Sequence, residues 1–401
     1  MSSLKKKRNK RENFVYIISI NIVVLVAILM IINLVSSLGI SLAMSIYPGK
    51  ETFYPFHWPE LPFRHRDRDY IQQLETETNE INFKFIQFYP FIGFTWPKHE
   101  GKYVNTNQQG ERIVVPTSSQ EKNKGVIRFF GGSTMWGMGA EDKETIPSLI
   151  KQNFPDYLVF NHGQLAYTSR QSLAKLINLA NQSYSLDYVV FLDGVNDPMI
   201  SCYDVFKPNE KLVNIYGFSQ QFGQIVEQYQ QYNQDIFGAF KQTLYGSTLK
   251  LLNLLKRRNQ NLWDSSRDLS PLCLQDPNYA DKVANAMIQN WKIARDIVTS
   301  RGGNFIVLLQ PMRFVGNYRF NQSSPGESYY ETFKLMYFLF QKKLEQENLF
   351  WVYDLTHIFD SVESHVYLDY AHLSGEGNKI VAKRISEILT PILSSDQRPE
   401  K

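Results

Sequence analysis

The chain has 401 residues, of which 43% are hydrophobic and 20% charged, enough apolar material for one large domain with additions. Its net charge of +4 at pH 7 comes from a basic N-terminal tail, and no basic stripe beyond that tail indicates a nucleic-acid-binding protein. The 2 cysteines and the histidines show no metal-ligand spacing, and no phosphate-binding loop is present, so we expect neither metal nor cofactor.

The first predicted element is a membrane-spanning helix. No charged residue occurs between Phe14 and Tyr47, a run longer than the roughly 20 apolar residues that cross a bilayer. The basic residues before it predict a cytoplasmic N-terminus and an extracytoplasmic remainder. Cleavage as a signal peptide, near Ser41-Leu42-Ala43, is the alternative, but the run is longer than a usual signal core. We therefore predict a cytoplasmic tail over 1–13 and a single-pass anchor over 14–46.

Residues 47–120 are predicted to form a juxtamembrane linker and an N-terminal extension. Prolines, aromatic residues and charges dominate as far as residue 70, and the following Gly, Pro and Asn residues predict turns with short strands. We expect the extension to pack on the main fold.

A regular alternation of apolar runs and helical patterns follows, and it defines a domain over 121–394. Strands separated by helices predict a parallel sheet that is covered on both faces. The last helix is expected to end at Pro391, and residues 395–401 to be disordered. The predicted strands are Val126–Phe130, Tyr157–Asn161, Tyr188–Leu192, Phe305–Leu309 and Phe350–Asp354.

Residues 198–279 interrupt this alternation with a polar, Gln- and Tyr-rich stretch and then a basic helical one. So long an insertion is typical of a lid or a substrate-binding cap, although a passive surface decoration is equally compatible. The two cysteines, Cys202 and Cys273, lie near its ends. Outside the cytoplasm they are expected to form a disulfide, with two buried free thiols as the alternative.

Four short polar blocks occur in chain order, and the first three each follow a predicted strand. A serine on a glycine turn at the carboxyl edge of a sheet is a candidate nucleophile if a base and oxyanion donors can reach it. The blocks are Gly131-Gly132-Ser133-Thr134, Asn161-His162-Gly163, Gly194-Val195-Asn196-Asp197 and Asp369-Tyr370-Ala371-His372.

This constellation resembles the SGNH/GDSL hydrolases, whose defining serine, glycine, asparagine and histidine match Ser133, Gly163, Asn196 and His372. The resemblance implies a three-layer α/β/α, flavodoxin-like sandwich around a central parallel sheet. The segment from Asn105 to Arg112 is similar to a lead-in found in membrane-anchored bacterial members. The sequence departs from the family in having Gly132 where an aspartate is usual, Thr134 after the serine, and the long insertion.

Roles follow from the chemistry of these groups. His372 is the candidate base that takes the proton of Ser133, and Asp369, three residues earlier, can orient the imidazole and stabilise its charged form. The resemblance assigns the oxyanion hole to the backbone N–H groups of Ser133 and Gly163 and to the side-chain amide of Asn196. Loss of one such donor typically lowers the rate about 100- to 1000-fold.

Four further residues near the blocks have less specific expected roles. We expect His162 to have a supporting or structural role, and Asp197 to have a structural one through hydrogen bonds to the loop. Trp136 and Tyr167 are candidates for the wall of a substrate pocket, with core packing as the alternative.

Three functions are compatible with the sequence. The first is a membrane-anchored esterase that hydrolyses O-acyl, most simply O-acetyl, esters on envelope or extracellular glycans through an acyl-enzyme on Ser133. The second is an O-acyltransferase that passes the acyl group to a polysaccharide hydroxyl. The third is a non-catalytic glycan-binding scaffold. The expected partners are thus the membrane and an acylated glycan.

Overall fold

The computed structural model describes residues 2–46, 58–83, 87–117, 123–203, 248, 271–320 and 327–395. The chain divides into two units, Met1–Pro55 with Val226–Asp268, and Phe56–Ile225 with Leu269–Lys401. The second unit contains the sheet and all four polar blocks.

In the first unit, helix α1 spans Ser2–Ile46 and thus begins within the predicted basic tail. Its Tyr16–Gly39 segment is long and apolar enough to cross a membrane, with a mean hydropathy of 2.9. Its apolar side chains are largely exposed, as expected for a helix whose surroundings are lipid rather than protein. Within the same unit, the backbone N–H of Thr248 donates to Oδ1 of Asn33 at 3.1 Å.

A five-stranded, all-parallel sheet lies at the centre of the second unit, in the order β6-β5-β7-β8-β9. β7 is apolar from Tyr188 to Leu192 and β8 from Phe305 to Leu309, because both faces of these strands are buried, whereas β5 includes the buried Arg128. The next two strands along the chain, β6 and β7, pair with opposite edges of β5. Where the strand order reverses in this way, a crevice forms at the carboxyl ends of the strands. The strands are β5 (Val126–Gly131), β6 (Leu158–Asn161), β7 (Tyr188–Asp193), β8 (Asn304–Leu309) and β9 (Val352–Asp354).

Helices cover both faces and give the three layers that the family resemblance implies. One core lies between the sheet and helices α5, α8 and α9, and the other between the sheet and helices α4 and α10. Alternate side chains of each strand enter the two cores, as for Phe129 and Phe130. The helices of the unit are α2 (Arg68–Phe83), α3 (Ser133–Trp136), α4 (Ile146–Asn153), α5 (Ser169–Asn181), α6 (Asn196–Cys202), α7 (Leu272–Gln275), α8 (Pro277–Thr299), α9 (Glu327–Glu347) and α10 (Gly375–Ser395).

The N-terminal extension packs against the sheet domain through a third apolar cluster. The extension comprises α2, a 3₁₀ turn over Leu61–Phe63 and two small hairpins. The hairpins pair β1 (Gln87–Tyr89) with β2 (Gly93–Thr95), and β3 (His99–Glu100) with β4 (Asn105–Thr106). Its buried members Leu74, Ile81 and Val104 pack with Trp136, which belongs to α3.

Three boundaries differ from the sequence prediction. Pro391 lies inside α10, which continues to Ser395; a proline this close to a helix end removes one hydrogen bond without stopping the last turn. A short helix, α3, begins at Ser133 itself, where the sequence predicts a glycine turn. The predicted insertion begins within α6 and ends within α8, and its residues 204–247 and 249–270, like the tail from 396, lie outside the described residues.

Candidate active site

Ser133 occupies the first position of α3, directly after β5 and the glycine pair. The carbonyl of Ser133 accepts hydrogen bonds from the N–H groups of Gly137 and Met138, both at 3.0 Å, and these bonds close the single turn of α3. Gly137 ends the helix in the left-handed conformation, with φ of 98°. This tight strand–turn–helix unit fixes the direction of the serine hydroxyl.

The glycine that replaces the usual aspartate has a structural reason. A Cβ on Gly132 would lie 2.2 Å from Nδ2 of Asn196, closer than any real contact. Asn196 therefore approaches the nucleophile turn through space that only a glycine leaves open. The absence of a side chain at this position lets two of the predicted blocks approach each other closely.

His372 and Asp369 lie on a narrow loop before α10. An antiparallel bridge between Tyr367 and Leu373 joins the two ends of this loop. Within the loop, the N–H of Leu368 donates to the carbonyl of His372 at 2.9 Å. At the tip, Oδ1 of Asp369 accepts the backbone N–H groups of Ala371 and His372, both at 2.8 Å. The loop thus places the carboxylate beneath the imidazole without requiring a helix.

The three side chains form a continuous hydrogen-bonded chain. Nδ1 of His372 lies 2.6 Å from Oδ2 of Asp369, and Nε2 of His372 lies 2.7 Å from Oγ of Ser133. Because an ionised carboxylate only accepts, Nδ1 carries the ring proton and Nε2 is left to accept the serine proton. This is the tautomer that a general base requires.

Asp369 is held ionised. Burial would raise its pKa, but the charge of His372 and the hydrogen bonds from His372 and Ala371 outweigh burial and lower the pKa below its ordinary value of 3.8. A carboxylate that stays charged at neutral pH stabilises an imidazolium beside it.

The three predicted oxyanion donors meet at the same edge but differ in availability. The N–H of Ser133 lies in the first turn of α3, where no intrahelical acceptor exists. One amide hydrogen of Asn196 donates to the carbonyl of Tyr167 at 2.8 Å, which leaves the second hydrogen for a ligand. The N–H of Gly163 donates to Oδ1 of Asn161 at 3.0 Å and must leave that acceptor to bind an oxyanion.

Asn161 links the glycine block to the nucleophile helix. Its Nδ2 donates to the carbonyl of Met135 at 3.0 Å while its Oδ1 receives Gly163. Gly163 itself lies so close to α3 that a Cβ there would be 2.7 Å from the backbone nitrogen of Trp136. Any larger residue at position 163 would push the nucleophile helix away.

Trp136 and Tyr167 have packing roles. Trp136 is fully buried beneath the N-terminal extension, and the guanidinium of Arg112 lies 4.7 Å above its ring. Tyr167 is buried edge-on against Phe94 and donates its hydroxyl to the Phe94 carbonyl at 2.5 Å. The side chains predicted as pocket walls are therefore core residues, and only the main chain of Tyr167 contacts the site, through Asn196.

His162 belongs to a buried charged cluster behind the site. Its Nδ1 lies 2.8 Å from Glu111, its Nε2 lies 3.0 Å from Arg128, and Lys175 binds the same glutamate at 2.8 Å. Burial lowers the pKa of His162. Glu111 has a lowered pKa as well, because the charges and hydrogen bonds of His162 and Lys175 together outweigh its burial. The sequence prediction of a supporting role matches this placement, whereas it missed Glu111 and Lys175.

Asp193 and Asp197 hold the asparagine block in place. Asp197 accepts the N–H and the hydroxyl of Ser169, the first residue of α5, at 2.9 and 2.5 Å. Asp193 accepts the indole N–H of Trp291 at 2.8 Å. Burial raises the pKa of both aspartates. At the end of α6, a disulfide joins Cys202 to Cys273 and ties α6 to α7.

Among the described residues, no cluster of histidines, cysteines or carboxylates could hold a metal ion. The groups that meet at this edge are a serine hydrogen-bonded to a histidine, together with hydrogen-bond donors that can face negative charge.

No family model and no curated protein sequence matches the chain. Several solved structures are similar to it. A G-D-S-L lipolytic protein from Veillonella parvula is 10% identical, with 66% of this chain and 98% of that chain covered and a TM-score of 0.36. The acetyl xylan esterase AlAXEase is 11% identical (66% and 99% covered, TM-score 0.35), and TesA is 12% identical (67% and 99% covered, TM-score 0.32).

Identities and TM-scores this low carry no argument about function, so the interpretation depends on this chain's own geometry. The parallel sheet, the order of its strands and the meeting of Ser133, Gly163, Asn196 and His372 at its carboxyl edge form the arrangement that the resemblance to SGNH/GDSL hydrolases predicts.

Proposed function

We propose that the protein is a serine hydrolase of the SGNH/GDSL type that cleaves O-acyl esters through an acyl-enzyme on Ser133. One observation carries the proposal: the chain from Ser133 Oγ to His372 Nε2 at 2.7 Å and from His372 Nδ1 to Asp369 Oδ2 at 2.6 Å. Ser133 and His372 are 239 residues apart along the chain, and the fold brings them together.

The reaction follows from these contacts. Oγ of Ser133 attacks the ester carbonyl while Nε2 of His372 takes the hydroxyl proton. The resulting oxyanion is stabilised by Ser133 N–H, the second amide hydrogen of Asn196 and, after it leaves Asn161, Gly163 N–H. Collapse expels the alcohol, which receives the proton from His372. A water molecule then attacks the acyl-enzyme by the same route and releases the acid and the free serine.

The substrate proposal depends on location. The basic residues before Tyr16–Gly39 favour an anchor with a cytoplasmic N-terminus, which leaves the sheet domain outside the cytoplasm. The Cys202–Cys273 disulfide supports the same side, because disulfides persist in oxidising compartments. For an enzyme at that surface we propose acylated glycans, above all O-acetylated ones, as the substrates.

The test uses the full-length chain in detergent. We expect it to release acid from a small aryl acetate and to be labelled by a fluorophosphonate, and we expect Ser133→Ala to lose both properties. Ser172→Ala is the control, because Ser172 is a buried serine of α5 whose hydroxyl has no hydrogen-bond partner among the described residues. Undiminished hydrolysis in Ser133→Ala would refute the proposal.

Product analysis on an O-acetylated polysaccharide then tests the substrate and the acceptor. Free acetate as the product supports hydrolysis. Acetyl groups appearing on an added acceptor glycan would instead assign the same acyl-enzyme to a transferase, and an unlabelled wild-type serine would favour the non-catalytic scaffold.

A further inference from the structure

Two buried polar residues beside the triad have no role in the mechanism above. Thr134 follows the nucleophile, and Gln310 directly follows β8 at the same edge of the sheet. They are only 3% and 4% exposed, so neither is placed to bind a substrate. Their hydrogen bonds run toward the two loops that carry Ser133 and His372.

Thr134 connects the nucleophile helix to the histidine loop. Its hydroxyl donates to the carbonyl of Ala371, the residue before His372, at 3.3 Å. This bond runs alongside the 2.7 Å contact between Ser133 and His372, one residue away on each side. A change in the separation of Thr134 and Ala371 therefore changes the separation of the reacting pair.

Gln310 determines the direction of the threonine hydroxyl. Its Nε2 donates to Oγ1 of Thr134 at 2.8 Å. Because that oxygen now accepts a hydrogen bond, its own hydrogen is directed to another acceptor, the carbonyl of Ala371. The backbone carbonyl of Gln310 accepts the hydroxyl of Tyr337 at 2.8 Å, which anchors the residue to α9.

The same segment also holds the histidine loop directly. Three residues after Gln310, the N–H of Arg313 donates to the carbonyl of Tyr370 at 2.9 Å. The turn after β8 thus contacts the nucleophile side through Gln310 and the histidine side through Arg313. It can transmit the rigidity of the sheet to both.

We propose that Thr134 and Gln310 are positioning residues that fix the distance between Ser133 Oγ and His372 Nε2. This role depends on the proposed hydrolase function, and neither residue contacts the ester. Loss of the hydrogen bond between Thr134 and Ala371 would loosen the histidine loop against α3, which carries Ser133. Because a neutral hydrogen bond has modest strength, we expect kcat to fall about five- to tenfold and KM to stay unchanged.

The test compares Thr134→Val, which keeps the shape but lacks the hydroxyl, with Thr134→Ser, which keeps the hydroxyl. We expect Thr134→Val to lower kcat and the rate of fluorophosphonate labelling, and Thr134→Ser to restore both. Thr78→Val is the matched control, because Thr78 is equally buried and its hydroxyl bonds only to Leu74 within α2. It should lose stability without losing kcat.

Gln310→Met provides a second, independent variant. If the two residues act through one hydrogen bond, Thr134→Val combined with Gln310→Met should lower kcat no more than the worse single variant does. Wild-type kcat in Thr134→Val, measured below its melting temperature, would overturn the proposal while leaving the hydrolase function intact. So would a Thr134→Ser enzyme as slow as Thr134→Val. Failure of the hydrolase function itself would instead appear as activity that survives Ser133→Ala.

Discussion

Among single residues, Asp369 offers the sharpest test of the triad. Asp369→Asn keeps the size of the side chain and can keep the bonds to Ala371 and His372, but it presents an amide to Nδ1. The imidazole is then free to adopt the wrong tautomer, and its charged form loses its partner. We expect kcat to fall about 10,000-fold, as in other triads.

The measurement is steady-state hydrolysis of the aryl acetate, with Asp360→Asn as control. Asp360 also lies three residues from a histidine, His357, at 2.7 Å, but on the exposed surface. A loss in Asp369→Asn no larger than in this control would exclude Asp369 from the triad.

A second residue-scale prediction concerns His162 and pH. Its folded pKa lies below the ordinary value of 6.5, so the unfolded chain takes up the proton first and stability falls as the pH drops below about 6.5. Glu111 also has a lowered pKa, so its stabilisation is lost only at a pH below its ordinary value of 4.5. Between pH 7.5 and 5.5 His162 therefore contributes a loss of stability, while Asp193 and Asp197, whose pKa values are raised by burial, contribute in the opposite direction. The loss that belongs to His162 is the difference between the wild-type protein and a variant that lacks the imidazole.

Urea unfolding at the two pH values measures this loss. Between pH 7.5 and pH 5.5 the free energy of unfolding should fall less, or rise more, in His162→Gln than in the wild-type protein, whatever the absolute stability of the variant. His65→Gln, at an exposed histidine, should leave the difference unchanged. An unchanged difference in His162→Gln would contradict the assignment.

The polar blocks could be found from the sequence because each places a chemically distinctive residue just after a buried strand or on a short loop. What each neighbour does could not be found in this way. Gly132 looked like a weakened motif until Asn196 was seen to occupy the space of its side chain. Gln310 also directly follows a strand, but a lone glutamine there has no chemistry that distinguishes it from a surface residue.

At the scale of elements, the five strands were predicted to within two residues because buried parallel strands are continuously apolar. The largest error is at β9, which begins at Val352, since Phe350 is 74% exposed and lies in the preceding turn. Helix α9 lies in the helical stretch expected between the last two strands, and its buried apolar residues recur at helical spacing, as at Phe333, Met336 and Phe340. The packing of α3 could not be predicted, because its partners come from the distant N-terminal extension.

That packing leads to a prediction about Arg112, from the predicted lead-in segment. Its side chain is fully buried, donates to Asp142 at 2.6 Å, and donates to the carbonyls of Gly137 and Ala140, which follow α3, at 3.1 and 2.6 Å. Arg112→Met would take the only cation from Asp142 that the described residues supply, leaving it the hydrogen bonds from Asn105, and would remove one donor from each carbonyl. We expect a loss of about 3–5 kcal/mol in the free energy of unfolding.

Urea unfolding at neutral pH tests the expected loss. Arg112→Met combined with Asp142→Asn should recover part of the stability, since the unpaired carboxylate is removed. Arg384→Met is the matched control: it breaks a pair with Glu387 in which both side chains are half exposed, and it should cost at most about 1 kcal/mol. Equal losses in the two arginine variants would show that Arg112 does not brace the nucleophile helix.

For the whole molecule, the open question is whether the apolar helix remains attached to the enzyme. The Tyr16–Gly39 segment has the length and composition of a membrane span, and a signal sequence near an N-terminus shares both properties. An uncleaved anchor predicts that the mature chain stays in the membrane fraction after an alkaline carbonate wash and that its intact mass includes the basic tail.

Leu25→Lys combined with Ile28→Lys, which puts two charges at the centre of the span, should weaken insertion by about 2.5–3.5 kcal/mol per lysine and move protein to the soluble fraction. Lys substitutions at Ile113 and Phe160, two partly exposed apolar residues of the second unit, are the control and should leave the distribution unchanged. A mature chain that begins after Ala43 would instead show that the helix is a cleaved signal, and the enzyme would then act as a released protein rather than at the membrane.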